Sequence, residues 1–461
     1  MQLTTRDPAI LGVCCWWRRV LLGDFGRFVI ANCHMDSKSA LIPFLSPAHT
    51  KEVWLRFDGA LLFGNWAIEW ARMALSHGTQ PMAIERLIIV VVEAPNTVTT
   101  DPENMRAKEL VDVCQHALQP RKIGLFSQPC SGEIAGARPR GIGDKFACLY
   151  MHFCQMEMPP LLTSIDTSRI SHESMLWLIA NNARALEYLR VASVLPSDLQ
   201  HMVSRTFGDL VFSHLREIHM TLDLYDSQLE EYDITTAHFP NLELLFVDIP
   251  THEISSQHET GLSIFEHAFL TDLFFGKCNR LRSVRFPIAW DTIEILTPNM
   301  LSRVHELTLY QVSMEGEHVP DADEANELLS NMLSLKHVRS IRLNTGSLVP
   351  ALPRRLVCTS LHTLIVPQYH LTADQIHFLL CEVPSLLVLH CQLGERLLPS
   401  PKGDSINPDY IVKAGHCWRR LASNEGHRAG LVPKTRMPIR TLVIYISPEL
   451  GDGAIQRLFS V

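Results

Sequence analysis

One three-point apolar pattern, Leu-x-x-Leu-x-Leu with other small or apolar residues substituting, keeps returning along this chain and limits what it can fold into. It occurs as Leu186/Leu189/Val191, Leu215/Ile218/Met220, Leu242/Leu245/Val247, Leu281/Val284/Phe286 and Val304/Leu307/Leu309. It continues as Val338/Ile341/Leu343, Leu361/Leu364/Val366, Leu386/Leu389/Cys391 and Ile439/Leu442/Ile444. The starts lie 29, 27, 39, 23, 34, 23, 25 and 53 residues apart. The last two points of each triad alternate as in a strand with one buried face. A lone strand of this length cannot bury that face, so the recurrence predicts units that stack on one another.

Helical patterns separate several of the strands. Thr372–Cys381 reads as a helix with Thr372 at the N-cap and Gln375 at the capping-box spacing. Ser171–Ala180 leads toward the Leu186 strand and Asp323–Met332 toward the Val338 strand. Alternating short strands and helices predict an α/β fold. Most intervals lie near the leucine-rich-repeat period, so the preferred architecture is a solenoid with a curved parallel sheet and outer helices. A doubly wound α/β domain is the alternative. The position eight residues after each first apolar point is Val194, Asp223, Pro250, Ala289, Val312, Gly346, Tyr369, Gly394 and Ser447. No asparagine ladder runs there, so the repeats are divergent and irregular.

Upstream, Val53/Leu55/Phe57, Ile84/Leu87/Ile89 and Leu162/Ile165 are candidates for further repeat strands, and Leu87–Val92 reads as a buried one. Two segments read as loop insertions: about 119–145, with 8 Gly or Pro among its 27 residues and a charge of +3, and about 394–440, with nine Lys/Arg against four Asp/Glu.

Over 461 residues the net charge is −8, which disfavours a protein that works by neutralising nucleic-acid phosphates. The 12 cysteines are scattered without regular spacing, unlike a disulfide framework. Asn-x-Ser/Thr does not occur. The apolar run Ala9–Trp17 is followed by Arg18-Arg19 rather than a small-residue cleavage site. These features predict a cytoplasmic or nuclear protein with no membrane partner.

Ile10–Leu22 reads as a short amphipathic N-terminal helix, with Ile10, Val13, Trp17, Val20 and Leu21 near one face and Pro8 at its start. Val13, Cys14, Trp17 and Arg18 reproduce the Val-Cys-x-x-Trp-Arg spacing at the end of an F-box. With the repeats behind it, the chain resembles an F-box/leucine-rich-repeat protein whose box is truncated or degenerate. The resemblance implies residues 1–35 as an F-box remnant or N-terminal cap and 36–461 as the repeat domain. It implies a Skp-type adaptor bound through Val13, Cys14, Trp17 and Arg18, and a substrate-recognition role in a cullin–RING ubiquitin ligase.

No catalytic motif of the GxSxG, HExxH or GxxxxGK[ST] kind is present. Gly136–Lys145 lacks the Lys-Ser/Thr ending of a phosphate loop and reads as a flexible segment. Cys148 and Cys154 are placed in a strand and its exit. His377, Cys381, His390 and Cys391 are soft ligands near one another, but no second CxxC or HxxxH supports a zinc site, and core packing is the better reading. No cofactor and no enzymatic activity are predicted.

Charge is uneven. The 60 residues from Glu217 to Gly276 contain twelve acids, five His and no Lys or Arg. A focused negative field would attract a basic protein partner. Asp223, Asp226, Glu230, Glu231 and Asp248 are the candidate contacts. The sequence thus predicts a protein–protein interaction module, the ligase receptor first, a repeat scaffold without ligase coupling second, and an α/β enzyme last.

Overall fold

The computed structural model describes residues 28–33, 50–58, 65–75, 81–92, 103–128, 142–167, 172–203, 210–222, 238–249, 264–275, 278, 280–288, 301–311, 322–344, 356–371, 373–383, 385–393 and 441–446. The chain divides into two compact units, the first formed by residues 1–223 and 235–241, the second by 224–234 and 242–461. The division falls in the acidic stretch.

The first unit carries seven described strands: β1 (Phe28–Cys33), β2 (Glu52–Asp58), β3 (Arg86–Val92), β4 (Lys122–Gln128), β5 (Leu161–Thr167), β6 (Tyr188–Val194) and β7 (Glu217–Leu222). Each pairs in parallel with the next, so spatial order equals sequence order. Helices α1 (Asn65–Leu75), α2 (Glu103–Leu118), α3 (Ile142–Cys154), α4 (His172–Asn181) and α5 (Pro196–Val203) occupy the crossovers from β2 to β7, and neighbouring helices pack in the same order.

The second unit repeats this plan with β8 (Leu244–Asp248), β9 (Ser283–Ile288), β10 (Glu306–Gln311), β11 (Ser340–Asn344), β12 (Thr363–Leu371), β13 (Val388–Leu393) and β14 (Thr441–Ile446), again parallel and in chain order. Its described helices are α6 (Ile264–Phe275), α7 (Ala322–Leu333) and α8 (Ala373–Glu382). Neither unit has the strand-order reversal of a doubly wound sheet. The fold is α/β with open parallel sheets.

All nine triads fall on or at the entrance of β6–β14, and the residues of the first eight are buried. Alternation does the sorting. In β7, Ile218, Met220 and Leu222 are buried while Glu217, His219 and Thr221 stay half-exposed; in β8, Leu245 and Val247 are buried between half-exposed neighbours. Helices cover the buried face. Trp70 of α1 meets Phe57 of β2 edge-to-face at 5.6 Å, and Phe275 of α6 meets Phe286 of β9 at 5.1 Å. The sequence of α6 is apolar on nearly every side, and Phe269, Leu270, Leu273 and Phe274 are buried.

The upstream candidate strands are present as β2, β3 and β5, and the three predicted helices as α4, α7 and α8. Other expectations need correction. Within the expected insertion at 119–145, Lys122–Gln128 is β4 and α3 begins at Ile142. Gly124 and the flanking prolines suggested a loop, yet Ile123 and Leu125 supply the inward pair of a strand. Cys148 and Cys154 lie on α3, not on a strand. Strand β1 falls inside the expected 1–35 remnant but pairs with β2 in the sheet. The N-terminal helix and the insertion at 394–440 lie outside the described residues.

Polar side chains tie successive turns together although the asparagine ladder is missing. Asn241 Nδ2 donates to Ser213 O at 2.6 Å, and Ser213 Oγ donates to Arg184 O at 3.2 Å. In the second unit Ser385 Oγ reaches Thr359 O and Leu361 O at 2.8 and 2.7 Å. Each bond satisfies a turn carbonyl that the strand ladder leaves over.

Candidate functional site: the open sheet faces

With one face of strands β2–β13 given to the core, chemistry and recognition fall to the opposite face. On the first unit, strand pairing sets Trp54, Ile88, Gly124, Ser164, Tyr188 and Glu217 side by side in one row. Phe126 stands two residues beyond Gly124. Its ring stacks on Trp54 at 6.2 Å and 21° and on Tyr188 at 5.9 Å and 20°, and Tyr188 meets the His219 ring at 5.9 Å. These are favourable offset-stacking distances. Trp54, Phe126 and Tyr188 remain half-exposed, while Ile88 beneath them is 1% exposed.

Gly124 makes the stripe possible. A Cβ there would lie 2.5 Å from Ile88 Cδ1 and 2.9 Å from Phe126 Cε2. The missing side chain leaves room for the isoleucine and for the phenyl ring. An irregularity at the next strand adjusts the register: Ile123 pairs Leu162, but Gly124 pairs Ser164, leaving Thr163 as the extra residue.

Charged groups flank the stripe. Trp54 Nε1 donates to Glu52 Oε1 at 2.5 Å, and His219 Nε2 lies 2.6 Å from Glu217 Oε1. Below the stripe, Glu187 accepts from Lys122 Nζ at 2.7 Å and Arg86 Nη2 at 3.1 Å, and Arg86 also reaches Thr163 Oγ1 at 3.3 Å. Partial burial raises the Glu187 carboxyl, but the Lys122 hydrogen bond and the charges of Lys122, Arg86 and Arg216 outweigh it and hold the group below the usual carboxylate range. Partial burial and Asp166 push the Tyr188 phenol up to about 12, so it stays a neutral donor.

The second unit presents a different surface. Arg285 Nε pairs with Asp248 Oδ1 at 2.5 Å, and its guanidinium lies 5.8 Å from the Tyr310 ring centre. Tyr310 Oη donates to Val247 O at 2.7 Å, and Arg282 Nη1 lies 3.6 Å from Glu243 Oε2. Arg342 is exposed on β11, and Arg339 and His362 are exposed just before β11 and β12.

Of the predicted acidic contacts, Asp248 is therefore ion-paired, and Glu243 and Glu217 also meet a cation or imidazole. The acidic stretch holds no Lys or Arg, but β9 brings Arg282 and Arg285 against it. Asp223, Asp226, Glu230 and Glu231 lie outside the described residues, as do Val13, Cys14, Trp17 and Arg18. Sequence reasoning missed the aromatic stripe because residues 54, 126 and 188 share no local period; Trp54 does sit between the inward Val53 and Leu55, but Phe126 and Tyr188 each border one inward apolar residue only, Leu125 and Leu189.

Several other perturbed groups are buried in the core. Burial pushes the Cys114, Cys278 and Cys391 thiols up to about 12 and Cys358 to about 11, the opposite of nucleophile activation. Burial pulls His267 down to about 4, against a hydrogen bond between its Nε2 and Pro287 O at 3.2 Å. Among the described residues no three His, Cys, Asp or Glu side chains are placed to hold a metal ion, and no helix is long and apolar enough to cross a membrane. No family model and no curated protein matches the chain.

Proposed function

We propose that this chain is a leucine-rich-repeat-type protein-interaction module that captures a protein partner on the outward face of its parallel sheets. One observation carries the reading: the half-exposed Trp54–Phe126–Tyr188 stripe, three large rings held in register on a face that packing alone would leave polar. Aromatic groups with one apolar side and a polar tip dominate protein interfaces. The open parallel sheets with strands in chain order are compatible with a solenoid, and they lack the switch-point crevice where doubly wound enzymes bind ligands. The thiols of Cys114, Cys278, Cys358 and Cys391 and the imidazole of His267 are buried in the core, which supports a binding role over catalysis.

The test places a photo-crosslinking amino acid at Trp54 and, as a control, at exposed Lys108 on α2. Crosslinks to one discrete partner from position 54 and not from 108 support the reading; equal labelling from both sites, or none from 54, rejects it. The ligase role rests on the resemblance of Val13, Cys14, Trp17 and Arg18 to an F-box end. Co-purification with a Skp-type adaptor, lost on Trp17→Ala, supports it, and no co-purification leaves a repeat scaffold without ligase coupling.

A further inference from the structure

The second unit carries two rows of cationic and imidazole side chains, one at the entrance of its strands and one on their open face. The first row stands just before the strands. His305 N donates to Arg282 O at 2.7 Å, Arg339 N to His305 O at 2.6 Å and His362 N to Arg339 O at 2.7 Å. The backbone ladder thus fixes one such group on each of four consecutive strands, about 4.8 Å apart. The second row lies within the strands, where pairing aligns Arg285, Thr308, Arg342, Ile365 and His390.

Carboxylates do not balance these rows. Glu243 and Asp248 serve the first strand's arginines, and Glu306 Oε2 accepts from Ser283 Oγ at 3.2 Å. Among the described residues, Arg339 and Arg342 pair with no carboxylate, and both are exposed. The field they create is felt locally: burial together with Arg339, Arg282 and His337 lowers His305 despite Glu306, and burial with Arg342 lowers His390. Arg282 and Arg339, like Arg285 and Arg342, stand two strands apart, about 9.6 Å, and the second arginine of each pair has no carboxylate partner among the described residues.

We infer that this face docks an extended acidic segment of a protein partner, whose carboxylates pair with Arg339 and Arg342 and with the row from Arg282 to His362. This rests on the open-face reading and names the partner chemistry at the second unit. Four strands span about 14 Å, the reach of four to five extended residues, so a short segment suffices. A protein segment fits better than nucleic acid, because Glu243, Asp248 and Glu306 lie beside the rows and the whole chain carries −8.

The experiment measures fluorescence anisotropy of a fluorescein-labelled glutamate-rich peptide titrated with the full chain. The same peptide with glutamine for glutamate, and an oligothymidylate, are run in parallel. The glutamate peptide should bind best, weaken as salt rises, and lose about tenfold in affinity with Arg339→Glu/Arg342→Glu. Arg339→Gln/Arg342→Gln, which only removes charge, should lose about threefold with thermal unfolding unchanged, and it decides the matter if the glutamate variant fails to fold. Equal binding of the glutamine peptide, tighter binding of oligothymidylate, or undiminished binding by the glutamine variant overturns the inference. Trp54→Ala should leave peptide binding intact. A failed peptide experiment alongside specific crosslinking at position 54 would reject the acidic partner while keeping the open-face reading.

Discussion

The two units follow one plan and differ in how they fill it. In the first, every crossover from β2 to β7 contains a helix, and the helices pack side by side. In the second, the strands from β9 to β12 start 23, 34 and 23 residues apart, and α7 occupies the long interval. Their open faces differ as well: a stacked aromatic stripe on the first unit, rows of arginine and histidine on the second. The backbone plan needs only the inward positions. The outward positions are free to diverge, so one architecture can offer an apolar and a charged surface on the same chain.

Phe286→Ala should break the comparison most directly. The ring is fully buried and touches Phe275 and His267, so its loss should cost about 3–5 kcal/mol. Followed by urea unfolding, it should shift one transition and leave the first unit's in place. A single transition shifted as a whole would show that the units do not unfold separately.

Acid should separate them next. His267 is neutral in the fold, with its pKa lowered from 6.5 to about 4. The unfolded chain binds that proton first, so stability present above pH 6.5 is lost as pH falls toward 4, by up to roughly 3 kcal/mol. Glu187 in the first unit is also lowered, so its contribution persists above the usual carboxylate range and is lost only as pH falls through its depressed value. The second unit should therefore weaken at higher pH than the first. His267→Gln should flatten the profile between pH 6.5 and 4, and unfolding curves across that range check it.

Gly124→Val tests the aromatic stripe. The new side chain must displace Ile88 or Phe126, at about 1–3 kcal/mol in the first unit, with reduced crosslinking from position 54. The smallest effect should come from Glu187→Gln. The ion pairs it breaks are part-exposed, so thermal unfolding should register about 1 kcal/mol or less, shrinking further in salt.

Much of this was legible in the residues. Leu307 and Leu309, or Ile341 and Leu343, declare an inward face through a period of two, and the helices before β6, β11 and β13 show in their own spacing. β4 was not legible, because Gly124 and nearby prolines read as loop chemistry; its glycine answers to Ile88 and Phe126 on the folded sheet, not to a turn. The counter-charges of the acidic stretch were likewise not legible, since Asp248 finds Arg285 and Glu243 finds Arg282 only when β8 and β9 lie side by side.

The sequence by itself therefore determined most strand positions, the inward residues of β6–β13 and three of the eight described helices, since these follow from periods within a dozen residues. The tertiary structure alone decided the division into two units, the partners of the charges and the neighbours on the open faces. Parallel pairing brings residues as distant as Trp54 and Phe126 within stacking range, and no local period constrains an outward side chain to announce that neighbour.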